Sequence, residues 1–325
     1  MAQKKILFID CVHAVLQQRM ETLGFACELR YNATQEELMN DGAEYCGIVI
    51  RSRITLDKTF IDAFPNLKFI ARSGSGLENM DVPYIESKGI AIFNSPEGNR
   101  DAVGEHVIGM LLTLFNRLRQ ADNEVREGLW RREENRGIEL REKTFAIIGY
   151  GVMGSGLAEK LIGFGCKIIA HDKYKSGFGN DYVKEVSLQE IFEQADIVSI
   201  HLPLNAETEF YVNYEFISKF RKPFYFINTS RGRNVNTSAI FEALLDDKLL
   251  GACIDVLEYE KASLEGPDFS EIPLDLHYLM FADNVILTPH IAGWTHESYY
   301  KLSSVLADKI EHWKNRDCGD GLNTK

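Results

Sequence analysis

A short apolar run, Phe145-Ala146-Ile147-Ile148, leads straight into Gly149-Tyr150-Gly151-Val152-Met153-Gly154. Four consecutive apolar residues suit a parallel strand covered on both faces. Gly149, Gly151 and Gly154 fit G-x-G-x-x-G. In that pattern the first glycine makes a tight turn. The second lets backbone approach a pyrophosphate, and the third lets helix pack against strand. The helix that follows offers unpaired N–H groups and a positive dipole end to an anion. The spacing alone is a weak signal, but its flanks strengthen it. Met153, Leu157, Leu161 and Phe164 keep helical spacing, and Gly165 is placed to end the helix. A second strand, Lys167 to His171, ends at Asp172, 18 residues beyond Gly154 (172 − 154). An acid about 20 residues on binds the adenosine ribose of a dinucleotide. Asp172 accepts from both ribose hydroxyls and repels a 2′-phosphate, so the pattern predicts NAD rather than NADP. Lys173 and Lys175 pull the other way.

A chain of 325 residues is long enough for two domains. Its net charge of −12 argues against nucleic-acid or anionic-membrane partners, while leaving room for a local basic pocket that takes an acidic metabolite. Six scattered cysteines (Cys11, Cys27, Cys46, Cys166, Cys253 and Cys318), with no C-x-x-C pair, suggest reduced structural thiols in a cytoplasmic setting. Nothing suggests a metal site. Met1 to Lys5 runs directly into a strand without a signal-peptide apolar region, and no apolar run is long enough to span a bilayer.

Residues 1–100 alternate strands (Lys5–Ile9, Ala26–Arg30, Gly47–Arg51, Leu67–Ala71, Ile90–Phe93) with helices (His13–Leu23, Gln35–Asn40, Asp57–Phe64). The same rhythm resumes after Lys143, with strands at Asp196–Ile200, Phe224–Asn228, Gly251–Val256 and Asn284–Leu287. The expectation is an α/β protein of two Rossmann-like or flavodoxin-like domains. Each is a parallel sheet with helices on both faces, with a cleft between them. A last helix, Thr295–Lys314, should return to the first domain, so residues 1–98 with 295–325 form one domain and 99–294 the other. The polar tail after Trp313 reads as loosely ordered. Asp101–Leu118 reads as one long helix with two apolar faces: Val103, Val107, Met110, Leu111, Leu114 and Leu118 on one, Ile108, Leu112 and Phe115 on the other. Burial on both sides suggests an interdomain span that also meets a second subunit.

Open α/β sheets bind ligands beyond the C-terminal ends of their strands. Three candidates stand there: Arg231 after Phe224–Asn228, Glu260 after the strand ending at Val256, and His290 after the strand ending at Leu287. Singly, each has a plain explanation as a surface ion pair, a solvated acid or a structural histidine. Together, at three strand ends, they form a cation for a carboxylate, an acid and a proton carrier. Glu260 paired with His290 would fix its tautomer and favour imidazolium.

Five motifs carry a resemblance over nearly the whole chain: Gly-Tyr-Gly-Val-Met-Gly at 149–154, Ile-His-Leu-Pro-Leu-Asn-Ala-Glu-Thr at 200–208, Asn-Thr-Ser-Arg-Gly at 228–232, Ile-Asp-Val-Leu-Glu-Tyr-Glu at 254–260 and Thr-Pro-His-Ile-Ala-Gly at 288–293. In order and spacing they resemble the D-2-hydroxyacid dehydrogenase family. The resemblance implies that Arg231, Glu260 and His290 are catalytic. It implies that Asp255 binds the nicotinamide carboxamide and that Thr229 and His201 line the cofactor cleft beside Tyr150, Val152 and Met153. It implies Asn99 beside the substrate, a position equally suited to capping a helix. A homodimer is also implied. The family often has proline after the glutamate; Lys261 stands here, opening what reads as a long acidic loop to Leu279.

On the substrate side, Arg72-Ser73-Gly74-Ser75-Gly76 can present backbone N–H groups to a carboxylate. Arg51 and Arg53 end the neighbouring strand, and with Arg72 they would make a phosphate pocket. These stretches resemble the D-3-phosphoglycerate dehydrogenases within the family. The expected reaction is oxidation of D-3-phosphoglycerate to 3-phosphohydroxypyruvate, a step of serine biosynthesis. No C-terminal regulatory domain is expected. The alternatives are a glyoxylate or hydroxypyruvate reductase, another 2-keto acid reductase, or a non-catalytic NAD(H)-sensing protein. A formate-type enzyme needs no acid/base proton and is disfavoured by the Glu/His pair.

Overall fold

Alternation of buried side chains sets the architecture. In the computed structural model, which describes residues 3–260 and 269–319, successive residues of each central strand feed opposite cores. The described chain divides into two compact units, residues 3–99 with 294–319 and residues 100–260 with 269–293.

The first unit holds strands β1 (Lys5–Phe8), β2 (Ala26–Leu29), β3 (Tyr45–Ile50), β4 (Phe69–Arg72) and β5 (Ala91–Asn94), with helices α1 (Ala14–Thr22), α2 (Gln35–Asn40), α3 (Lys58–Asp62) and α4 (Val82–Ser87). All pairs are parallel, in the order β2-β1-β3-β4-β5, the flavodoxin-like arrangement. Leu7, Ile48, Ile50 and Ile70 enter one core with Phe60, Phe64 and Ile85. Ile6, Phe8, Val49, Phe69 and Ala71 enter the other with Leu16 and Met20.

The second unit begins with α5 (Arg100–Phe115) and α6 (Leu118–Arg126). Strands β6 (Thr144–Ile148), β7 (Lys167–His171), β8 (Val183–Glu185), β9 (Ile197–Ile200), β10 (Phe224–Asn228), β11 (Leu249–Ile254) and β12 (Val285–Leu287) follow. They alternate with α7 (Val152–Leu161), α8 (Leu188–Gln194), α9 (Tyr214–Ser218), α10 (Thr237–Leu245) and α11 (Leu274–Phe281). The parallel sheet runs β12-β11-β10-β9-β6-β7-β8. Its order reverses between β6 and β9, the place where such sheets bind dinucleotides. Phe145 and Ile147 of β6 pack under α5 and α7. Ala146 and Ile148 pack with residues of α8, α9 and α10 on the other face.

The last helix, α12 (His296–Gly319), lies in the first unit. Its Leu306, Ala307 and Ile310 complete the core that α1 covers. It approaches so closely that a Cβ on Gly98 would sit 2.6 Å from the Leu302 nitrogen.

Several expectations need correction. The helix expected over 101–118 ends at Phe115. Asn116 folds its side chain back onto the Leu112 carbonyl, and Arg117 adopts φ 51°, a left-handed conformation that breaks the helix. Leu118 starts a separate helix and is exposed, while Phe115 joins the buried face. The region read as a loop to Leu279 contains α11, whose Leu276 and Leu279 are buried; residues 261–268 lie outside the described part. The part of the tail that is described stays helical from Trp313 to Gly319, and residues 320–325 lie outside the described part. Strand β8 and helix α4 are too short to show a clear period in the sequence; Val183 and Ile85 anchor them in the cores. Among the described residues, no helix is long and apolar enough to cross a membrane.

Candidate active site

The C-terminal ends of the second sheet carry the candidate residues in spatial order: His290 after β12, Asp255 and Glu260 after β11, Thr229 and Arg231 after β10, His201 after β9, Gly149 to Gly154 after β6, and Asp172 after β7.

The three glycines divide their labour. Gly149 has φ 93°, and a Cβ there would lie 2.4 Å from the His201 carbonyl oxygen. A Cβ on Gly154 would come 2.1 Å from the Gly149 carbonyl oxygen, so α7 presses on the turn. A Cβ on Gly151 would meet nothing within 4 Å. Among the described residues no atom requires glycine at 151, and the open space above it fits a pyrophosphate. Asp172 accepts the Tyr150 N–H at 2.8 Å on one oxygen, and the Tyr174 and Lys175 N–H groups at 2.9 and 3.0 Å on the other. Burial alone would push its carboxyl up. These three donors, with Lys175, hold it below the usual range. Lys173 is occupied by Glu207 at 2.9 Å, and Lys175 Nζ reaches the Tyr150 carbonyl at 3.3 Å. Met153 and Val152 open α7. The Thr229 hydroxyl is buried without a hydrogen-bond partner among the described residues. These features fit NAD: an orphaned hydroxyl, an open glycine and an ionised acid at the second strand end.

His201 bonds Ser199 Oγ through Nε2 at 3.0 Å, and desolvation pushes its imidazole down to about 4, so the ring is neutral at pH 7.

At the other end, His290 Nδ1 lies 2.7 Å from Glu260 Oε2. Glu260 is steadied by the Leu257 N–H on its second oxygen. The pair leaves His290 Nε2 as the ring nitrogen for another partner. His290 adopts φ 54°, a strained conformation for a non-glycine residue, of a kind that clusters at functional sites. Arg231 follows Asn228, whose side chain ties the loop: Asn228 Oδ1 accepts the Ser230 N–H at 2.9 Å, and Asn228 Nδ2 donates to the Arg231 carbonyl at 3.0 Å. Arg231 Nη1 donates to the Ser230 carbonyl at 2.6 Å. A Cβ on Gly232 would fall 1.8 Å from the Leu257 carbonyl oxygen, so the loops bearing Arg231 and Glu260 touch through a glycine.

Asp255 is 1% exposed and holds the His290 loop from below. Its carboxylate accepts from Thr288 Oγ1 at 2.6 Å, the Ile291 N–H at 2.9 Å and the Ala292 N–H at 2.8 Å. The sequence offered no periodic signal for this scaffold. It also missed His106 on α5, whose Nε2 lies 3.0 Å from Thr288 Oγ1.

In the first unit, Asp10 takes the backbone N–H groups of Arg51, Ser52 and Arg53 at 2.6, 3.1 and 3.4 Å. Arg51 lays its guanidinium 4.4 Å over the Trp294 ring. Arg72 donates through Nε to the Arg51 carbonyl at 3.2 Å and crosses Gly74, where a Cβ would be 1.8 Å from its Nη1. Ser75 Oγ donates to Asn99 Oδ1 at 2.8 Å, the Asn94 side chain donates to the Ser75 carbonyl, and Ser73 N–H donates to Ile50; Gly76 completes the turn. Of the three arginines expected to make a phosphate pocket, Arg53 donates from its guanidinium to the carbonyls of Ala33, Ile9 and Arg30 and faces Asp10 at 3.6 Å, so it braces strand ends.

Residues 108–292, more than half of the chain, match the model of the D-isomer specific 2-hydroxyacid dehydrogenase, NAD binding domain. The chain belongs to the D-isomer specific 2-hydroxyacid dehydrogenase family. Members are oxidoreductases acting on the CH–OH group, and the cofactor of the matched domain is NAD. The chain is 34% identical to a hydroxypyruvate reductase of Thermotoga maritima over 85% of its own length and 87% of that protein. It is 31% identical to a D-3-phosphoglycerate dehydrogenase of Archaeoglobus fulgidus over 94% of its own length and 56% of that protein. The chain thus spans about half the length of the phosphoglycerate dehydrogenases it matches. A solved structure of D-lactate dehydrogenase from Aquifex aeolicus, complexed with NAD and lactic acid, superposes with a TM-score of 0.80 at 26% identity, covering 97% of each chain. This family's two parallel α/β sheets are the ones described above.

Proposed function

We propose that the protein interconverts a D-2-hydroxy acid and its 2-keto acid with NAD, using Arg231, Glu260 and His290. The observation that carries this reading is the 2.7 Å His290–Glu260 pair, raised on neighbouring strand ends of an NAD-binding sheet. Bound NAD supplies the hydride acceptor. The chain's residues do the rest. Arg231 grips the substrate carboxylate and polarises the C2 oxygen with its planar donor fork. His290, its Nδ1 held by Glu260, takes the hydroxyl proton at Nε2 and returns it in the reverse direction. Glu260 stabilises the imidazolium so formed. Asp172 receives the ribose hydroxyls, and the N-terminus of α7 receives the pyrophosphate. Asp255 and Thr229 serve the nicotinamide end, with His201 beside them.

For the substrate, we favour D-3-phosphoglycerate. Arg51 and Arg72 meet its phosphate, and the Ser73–Gly76 turn and Asn99 meet its carboxylate end. The relatives named phosphoglycerate dehydrogenase support this. A second reading, hydroxypyruvate or glyoxylate reduction, is favoured by the engagement of Arg53 and by the near full-length match to a hydroxypyruvate reductase. The protein works as a cytoplasmic homodimer in this proposal, with Ile108 and Leu112 on the second face of α5. Light scattering showing only monomer at micromolar concentration overturns that part.

The test follows NADH absorbance with purified protein offered 3-phosphoglycerate, hydroxypyruvate, glyoxylate and bulkier keto acids. Turnover of the phosphorylated acid, lost in R51A, supports the first reading. Turnover of unphosphorylated acids alone leaves the second. Tight NADH binding without turnover of any acid points to a sensor.

A further inference from the structure

His106 lies on α5 and is itself assigned no role above. Its Nε2 is 3.0 Å from Thr288 Oγ1 and 3.5 Å from Asp255 Oδ1. Thr288 Oγ1 is in turn 2.6 Å from Asp255 Oδ1. Proton counting fixes the direction of these bonds. A hydroxyl has one proton and a carboxylate has none, so the Thr288 proton points to Asp255. The Thr288 oxygen can then only accept, and the ring nitrogen facing it must carry hydrogen. His106 is therefore a donor at Nε2, shared between Thr288 and Asp255.

That donor acts on the segment that carries His290. Asp255 holds Thr288, Ile291 and Ala292 through its carboxylate, and its backbone carbonyl accepts the His290 N–H at 2.7 Å. The clamp only works with an acceptor-only carboxylate. Burial would drive Asp255 toward its neutral form; His106, Thr288 and the two backbone N–H groups hold it ionised. His290 needs the clamp because its left-handed backbone is disfavoured for an L-residue and persists only where its surroundings over-determine it.

We propose that His106 is a positioning residue for proton transfer: its Nε2–H, shared by Thr288 and Asp255, sets the loop that aims His290, while His106 itself touches neither substrate nor cofactor. The proposal rests on the reading of His290 as the proton carrier.

Four single variants of the full chain, H106L, H106Q, T288V and H290N, and the H106L/T288V double variant test it, each measured for kcat, KM, NADH affinity by fluorescence titration, and melting temperature. H106L should lower kcat by about 10- to 100-fold, as loss of an orienting partner does at other sites, with NADH affinity kept within about two-fold. H106Q carries an amide N–H at similar reach and should recover most of that kcat. T288V should reproduce the H106L loss, and the H106L/T288V double variant should be no slower than either single one, because both break one relay. T288V also serves if H106L does not fold. The proposal is overturned if H106L turns over within about two-fold of the parent, if H106Q is as slow as H106L, if NADH affinity falls in step with kcat, or if the double variant is additive. H290N separates the two levels. Full activity in H290N sinks the proton-carrier reading itself. An inactive H290N beside a fully active H106L sinks only the role of His106.

Discussion

At the scale of single residues, identical side chains do different work. Gly154 and Gly151 sit three positions apart, yet only Gly154 is demanded by the fold. G154A should destabilise the protein by about 1–3 kcal/mol through overpacking against the Gly149 carbonyl, seen as a lower midpoint in urea. G151A meets open space. Its midpoint should stay unchanged while NADH binding, read by fluorescence, weakens by about ten-fold or more. Equal loss of stability in both variants would show that Gly151 is only structural. The arginines contrast in the same way. R53A removes donors from three backbone carbonyls and should cost about 1–3 kcal/mol of stability, with a smaller effect on KM than R51A. His290 should be the most sensitive position: H290A should lower kcat by about 10²–10⁴-fold. E260A should follow with a smaller loss and a folded far-UV spectrum.

At the scale of elements, β10, β11 and β12 were legible as apolar runs, and so were the loops that follow them. Their adjacency was not, because pairing depends on which helices cover the sheet. Gly232 is the hinge of that adjacency. G232A forces a Cβ against the Leu257 carbonyl and pushes apart the loops bearing Arg231 and Glu260. A combined loss of kcat and of about 2–3 kcal/mol in stability is expected; a wild-type kcat in G232A would show that the two loops act independently. Helix ends were the least legible feature. Arg117 breaks an apolar pattern that looked continuous to Leu118, since periodicity reports burial and not the local hydrogen bonding that stops a helix. Helix α11 hid inside a segment read as a loop; of its several apolar residues only Leu276 and Leu279 are buried.

At the scale of the whole molecule, pH links the site to stability. His201 has its folded value lowered from 6.5 to about 4. Between those values the unfolded chain binds the proton and the folded one does not. Stability should therefore fall as pH drops from about 6.5 toward 4, by at most about 3 kcal/mol, and this loss is complete below 4. Asp172, Asp196 and Asp255, all held below 3.8, keep their contribution until more acid pH. Urea titrations at pH 7, 5.5 and 4.5 should show the first loss in the parent and a smaller one in H201Q; equal slopes would remove His201 as the cause. The thiols also differ. Cys11 is exposed, whereas burial pushes Cys27 up to about 12 and Cys253 higher still. Among the described cysteines, a thiol reagent at pH 7.5 should modify Cys11 first and Cys253 only on unfolding.

Sequence alone determined the two α/β rhythms, the dinucleotide turn with Asp172, and the three strand-end residues Arg231, Glu260 and His290. Each is written in local spacing, which the backbone reads directly through the periods of strand and helix. Tertiary structure alone decided that Arg53 braces strand ends, that Gly151 faces open space while Gly154 is packed, and that Asp255, Thr288 and His106 clamp the His290 loop. Those facts join residues up to 182 positions apart. They depend on which hydrogen-bond donors remain once the sheet is assembled, and no local pattern encodes that remainder.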